Sequence, residues 1–226
     1  MIYPSKIIGK KHVAEDTFEL SFERPKEFSF KAGQYIQLGV PKLLHSDPKG
    51  ASRVFSIASS PLDKEKISVA FRETGSGCKR TIKELPQGGQ VSIEGPHGFF
   101  TIPEKPADPI VLIAGGIGIT PYMSMIRFAN EKRLAFPITL LYANSTKERA
   151  AYLEELQKIS NHNKYFTLKN KFGKIDEQFI RQSVKDMQNC RWYVAGPPAM
   201  VDYARNILIL LGVDDGRIHY EEFTGY

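Results

Sequence analysis

The chain has 226 residues, 42% apolar and 25% charged, enough to bury a sizeable core as one large domain or two small ones. Its net charge of +6 is spread over both halves, with no Lys/Arg run interleaved with aromatics of the kind that reads nucleic acid; the excess either solvates the surface or steers an acidic partner protein. Its two cysteines cannot build a four-thiolate iron–sulfur or zinc site, no apolar run nears the roughly 18 residues of a membrane span, and the N-terminus lacks a secretory pattern, so a cytoplasmic location is expected, with any redox chemistry coming from an organic cofactor or a separate partner.

The first half reads as short strands: "KIIGKKHVA", "TFELSFERP", "GQYIQLGV", "RVFSIASS", "KISVAFRE" and "GQVSIEGP". Each is rich in β-branched or aromatic residues and bounded by Gly, Pro, Asp or Lys clusters, the spacing of a small antiparallel barrel or sandwich. One helix interrupts them, "CKRTIKEL" from Cys78 to Leu85, stopped by Pro86. Three prolines in "PEKPADP" interrupt both patterns, and a domain boundary is expected there, with domains 1–104 and 105–226. The second half alternates. "PIVLIAGG", "PITLLYAN", "YFTLKN", "RWYVAG" and "RIHYEEF" read as strands of a parallel sheet. "TPYMSMIRFANEKR", "KERAAYLEELQKIS", "DEQFIRQSVKD" and "PPAMVDYARNILILLG" read as the helices between them.

Three stretches stand out at element junctions. "AGGIGITPYM" follows the first parallel strand, where Gly115, Gly116 and Gly118 either make a tight turn or let the backbone approach a phosphate. Thr120 is placed to cap the next helix and Pro121 to sit in its first turn. "RVFSIASSP" places Arg53 and Phe55 on one strand face, either as an exposed cation and a core ring or as a phosphate fork beside a cofactor ring, with the Ser56 hydroxyl nearby. "GSGCK" puts Gly75, Ser76, Gly77 and Cys78 at a helix N-terminus, again a glycine turn or a phosphate cradle.

Together with "GPHGFF", "AGPPAM" and "YEEF", these stretches resemble, in order and spacing, the ferredoxin–NADP reductase superfamily of flavoproteins over nearly the whole chain. "RVFSIASSP" is similar to the family's Arg-x-Tyr-Ser flavin motif, with Phe55 where the family has Tyr. "AGGIGITP" is similar to Gly-Gly-x-Gly-x-Thr-Pro. "AGPPAM" is similar to Cys-Gly-Pro-Pro-x-Met, with Ala195 where the family has Cys. The resemblance implies a Greek-key flavin barrel followed by a five-stranded parallel nucleotide-binding domain. It implies FAD and NADP(H) or NAD(H) as cofactors, and a separate one-electron acceptor such as a ferredoxin, flavodoxin or haem protein.

It also implies roles. Arg53 would bind the flavin pyrophosphate together with the amides of Gly75 to Cys78. Phe55 would lie against the isoalloxazine, Ser56 would hydrogen-bond near N5, and Ile57 and Phe71 would complete the flavin site. Gly115, Gly116, Gly118, Thr120, Pro121, Ala195, Gly196 and Pro197 would meet the nicotinamide nucleotide. Glu221 and Phe223 would stand at the reacting centre, and Tyr226 in the "TGY" tail is expected to stack on the adenine. The second parallel strand ends without Asp or Glu, and Ser145, Lys147 and Arg149 follow it, which leans toward NADPH. Two other readings stay open: a flavin-binding subunit of low intrinsic turnover, and a free flavin or ferric reductase.

Overall fold

The computed structural model describes residues 1–223, which divide into two compact units, one of residues 1–101 and 120–128, the other of residues 102–119 and 129 onward. In the first unit six strands form one antiparallel sheet. They are β1 (Ile2–Ala14), β2 (Thr17–Glu23), β3 (Tyr35–Gly39), β4 (Ser52–Ser56), β5 (Lys66–Arg72) and β6 (Gln90–His97), in the order β4-β3-β6-β1-β2-β5. A bridge between Ile57 and Val69 joins the two end strands, so the sheet closes on itself and leaves few unpaired edge groups. Alternating residues fill the interior: Leu20 and Phe22 of β2, Ile36 and Leu38 of β3 and Ile93 of β6 are fully buried.

Helix α1 (Gly77–Glu84) caps this core with Cys78 and Ile82. Ser76 begins it as expected of an N-cap, its hydroxyl accepting the Lys79 amide. The "RVFSIASS" strand ends at Ser56, earlier than its composition suggests. Beyond it the backbone finds side-chain partners: the Ala58 carbonyl accepts from Arg127 at 2.8 Å and the Ser59 carbonyl from the Ser124 hydroxyl at 2.7 Å. Both donors lie on helix α2 (Thr120–Glu131). Thr120 is the first residue of that helix, not a flanking cap, because a single 3-10 turn over Gly116–Ile119 leads straight into it.

In the second unit β7 (Ile110–Gly115), β8 (Ile138–Asn144), β9 (Phe166–Phe172), β10 (Arg191–Gly196) and β11 (Ile218–Glu222) form a parallel sheet in the order β11-β10-β7-β8-β9. The strand order reverses at β7, between β8 and β10, which makes their carboxyl ends the natural ligand crevice of such a sheet. Helices α3 (Leu153–His162), α4 (Glu177–Ser183) and α5 (Pro198–Leu210) supply the crossovers. Trp192, Val194 and Ile113 pack with Leu208 of α5 and Ile180 of α4 in the core of one face. Helix α3 starts six residues later than the periodicity of "KERAAYLEELQKIS" predicts. Tyr152 takes a left-handed conformation (φ 62°) just before it, and the Tyr142 hydroxyl holds the Ala151 carbonyl at 3.1 Å, so the preceding residues turn instead of coiling.

The 3-10 turn after β7 lies directly on the end of β10. A Cβ at Gly118 would stand 2.2 Å from the Ala195 carbonyl oxygen and 2.9 Å from the Gly196 Cα, both rigid backbone. Glycine is therefore required here for close approach. Gly118→Ala is expected to destabilise the chain by about 2–4 kcal/mol, read as a lowered urea midpoint with an unchanged slope.

Candidate cofactor-binding sites

The first unit gathers its polar donors at the head of α1. Arg53, at the start of β4, has its side chain 12% exposed and forms an ion pair with Asp47, whose side chain is 4% exposed. The same Asp47 carboxylate accepts the Cys78 amide at 2.9 Å and the Ser76 hydroxyl at 2.7 Å through Oδ2. These hydrogen bonds, the Cys78 amide foremost, hold its pKa far below the usual carboxylate range. Lys79, one residue further into the helix, is 4% exposed and donates to the Thr74 hydroxyl at 3.3 Å. Burial, then the charges of Arg53 and Lys49, lower its pKa to about 8.

Arg53, Ser76, Gly77 and Cys78 are thus brought together as the sequence anticipates. The residues it missed are Asp47, Lys49 and Lys79. Their signal is weak: "SDPKG" reads only as a turn, and Lys79 as one more helical lysine. The donor chemistry suits a diphosphate, since a planar guanidinium fork, a hydroxyl and a helix N-terminal amide already bind a carboxylate here.

The ring residues lie in the barrel packing. Phe55 is 6% exposed, its ring 5.3 Å from that of Phe71, which is 1% exposed, and Ile57 is fully buried; all three belong to the barrel core. Without a tyrosine hydroxyl to satisfy, complete burial of Phe55 carries no polar cost. Ser56 is half-buried at the end of β4 and Gly75 is exposed in the turn before α1.

In the second unit the carboxyl ends of three strands lie side by side. Ala195 of β10 is in register with Ala114 of β7 and with Glu221 of β11. Gly115 and Gly196 both approach Met200 of α5, and the Phe223 amide donates to the Gly196 carbonyl at 2.9 Å. This brings Gly115, Ala195, Gly196, Glu221 and Phe223 to one edge. Gly116 is half-buried at the head of the 3-10 turn, Pro197 is exposed, and Thr120 and Pro121 are buried at the start of α2.

Glu221 carries a buried Oε2 with no hydrogen-bond partner among the described residues, and desolvation raises its pKa to about 7. Its neighbour on the same face, His219, stacks on Tyr193 at 4.9 Å, and burial lowers its pKa. Asn144, 5% exposed, stands where β8 ends, followed by exposed Ser145 and Lys147 and half-buried Arg149. Tyr226 lies outside the described residues.

Among the described residues no helix is long and apolar enough to cross a membrane, and no group of three or more His, Cys, Asp or Glu side chains could hold a metal ion. The sequence profile of the oxidoreductase FAD-binding domain matches residues 4–102, and that of the oxidoreductase NAD-binding domain matches residues 112–206. The chain is 26% identical to the reductase component of propane 2-monooxygenase from Mycolicibacterium goodii over 88% of its own length and 61% of that protein's. It is 31% identical to ferredoxin–NADP reductase B of Sorangium cellulosum over 70% of its length and 64% of that protein's. It therefore spans less than two thirds of either relative.

Among solved structures, a cytochrome P450 reductase from Amycolatopsis aligns with a TM-score of 0.84 at 22% identity, over 98% of this chain and 70% of that one. A ferredoxin NADP+ reductase from Neisseria gonorrhoeae, with bound FAD and NADP, aligns with a TM-score of 0.81 at 19% identity, over 98% of each chain. The closed antiparallel barrel coincides with the FAD-binding match, and most of the parallel sheet falls within the NAD-binding match. The two profiles together cover most of the chain, which carries an oxidoreductase FAD-binding domain followed by an oxidoreductase NAD-binding domain, in the two-domain fold of the ferredoxin–NADP reductases.

Proposed function

We propose that the chain is a flavin-dependent reductase that draws reducing equivalents from NAD(P)H and passes them to a separate one-electron acceptor such as a ferredoxin, a flavodoxin or a haem protein. The observation that carries this reading is the anion site of Arg53, Ser76 and Cys78 in a chain matched by both an FAD-binding and an NAD-binding profile. Relatives described as reductase components of monooxygenases support a separate acceptor. The net charge of +6 supports an acidic face on it. The division into a flavin domain of residues 1–104 and a nucleotide domain of residues 105–226, and a cytoplasmic location, are part of this proposal.

Bound flavin supplies the conversion between two-electron and one-electron chemistry, which no side chain can perform. The chain's own residues bind and orient. Arg53, Ser76 and the Gly75–Cys78 backbone would hold the diphosphate, and Ser56 would offer a hydroxyl beside the ring. Gly115, Gly116, Gly118, Thr120 and Pro121, with Ala195, Gly196 and Pro197, would receive the nicotinamide nucleotide. Phe223, fastened through its amide to Gly196, would cover the flavin at that edge. Glu221, its pKa raised to about 7 by burial, would take up or release a proton near neutral pH. Ser145, Lys147 and Arg149 after β8, with Asn144 in place of an acid at the strand end, favour NADPH over NADH.

The spectrum of the purified protein tests the reading. Flavin bands near-stoichiometric with protein, bleached anaerobically by NADPH within seconds, are expected. A colourless chain that takes up no added FAD would refute it. Ala195 favours the second reading, a flavin-binding subunit of low turnover, which predicts slow ferricyanide reduction where the main reading predicts fast.

Lys147→Glu is expected to raise KM for NADPH about tenfold and leave KM for NADH unchanged, because only the former carries the extra phosphate. Glu221 contributes a pH dependence of stability. Its pKa is raised in the fold, so the folded chain binds more protons than the unfolded one between roughly pH 4.5 and 7, and stability falls as pH rises through that window. Glu221→Gln removes the loss: thermal melts should show the variant gaining on the parent by about 3 °C or more at pH 8 and not at pH 4.

A further inference from the structure

The segment Leu44–Gly50 is strapped along α1, from its last turn to its head. The Leu44 and His45 amides donate to the Thr81 hydroxyl at 3.1 and 3.3 Å, and the His45 ring meets the Glu84 carboxylate at 2.6 Å. Arg53 draws in the other end of the strap, donating to the carbonyls of Lys49 at 3.0 Å and Gly50 at 3.1 Å. The strap lies so close that a Cβ at Gly77 would stand 2.3 Å from the Ser46 carbonyl oxygen. Between these fastenings hangs Asp47, its carboxylate on Arg53, the Ser76 hydroxyl and the Cys78 amide.

Those three donors are the ones a diphosphate would need. A group cannot give the same hydrogen bonds to two anions, and two anions cannot share so small a space without repulsion. We propose that Asp47 is an internal plug: its carboxylate occupies the anion site formed by Arg53, Ser76 and the Cys78 amide, and must swing out on the Leu44–Gly50 strap before FAD can seat its diphosphate. The proposal rests on the flavin reading above and goes beyond it, naming the residue that sets how tightly and how fast flavin is taken up.

The charges agree with an exchange of anions. Burial lowers the Lys79 pKa most, and the charges of Arg53 and Lys49 lower it further even with Asp47 in place. A diphosphate diester brings two negative charges where Asp47 brings one, so the incoming ligand is the better counter-ion once the strap is open. The cost of opening is a reduced apparent affinity: if the open form is one part in ten, the measured Kd is about ten times the intrinsic one.

The test uses the full chain stripped of flavin, with FAD uptake followed by quenching of flavin fluorescence and inorganic pyrophosphate binding by calorimetry. Asp47→Asn is expected to tighten both ligands about tenfold and to speed FAD uptake. Thr81→Val leaves every anion donor in place and removes the strap's amide acceptor; it should speed and tighten FAD uptake too, which keeps the proposal testable if Asp47→Asn folds poorly. Unchanged or weaker FAD binding in both variants overturns the plug and leaves the flavin reading standing. If no form takes up FAD, the flavin reading falls, and pyrophosphate decides the plug: tighter binding by Asp47→Asn supports it, equal binding overturns it.

Discussion

A guanidinium with little access to water must be given a counter-charge, and Arg53 sits in that position at the mouth of the barrel with Lys79 close behind it. The barrel core fixes both. Arg53 is two residues before Phe55, which is anchored among Ile36, Ile57 and Phe71, and Lys79 follows Cys78, which the same core buries. The core thus fixes the backbone from which both cations reach. Whatever anion meets them therefore has its place set by hydrophobic packing, and the hydrogen bonds from Ser76 and Cys78 add direction to a position already decided.

The second unit solves a steric problem where the first solves an electrostatic one. Its central strands are buried on both faces, so polar groups collect at the carboxyl edge, where β7 and β10 end side by side. The chain must leave β7 in a turn tight enough to lie on the end of β10. Gly118 permits that contact, and Gly196, at φ 156°, continues away from it. The backbone groups left at such an edge are what a nucleotide can use, and the same crowding ties Phe223 to Gly196.

Much of this was legible in the sequence, for reasons that differ by element. The barrel strands and the parallel strands announce themselves because burial on one face or two imposes alternation or a continuous apolar run. Helix α1 was legible to within a residue at each end because its apolar spacing, Cys78, Ile82 and Leu85, and the stop at Pro86 are local signals. The start of α3 was not: Tyr142 reaches from β8 to hold the Ala151 carbonyl, a contact no helical periodicity records. The same limit applies at the candidate sites. Arg53, Ser76 and Gly118 stand in short motifs, whereas Asp47 acquires its meaning only when its strap folds back onto a helix that begins thirty residues later.

The register of β10 and β11 gives Ala195 a consequence of its own. In a parallel pair, residues in register project to the same face, so Ala195 and Glu221 are neighbours across the ladder. A polar side chain at 195 would offer the Glu221 carboxyl a donor and draw its pKa down. Alanine offers a methyl group. The carboxyl is left with burial as the sole cause of its shift to about 7. The register thus sets a methyl group, and no hydrogen-bond donor, beside the one side of the Glu221 carboxyl that β10 faces.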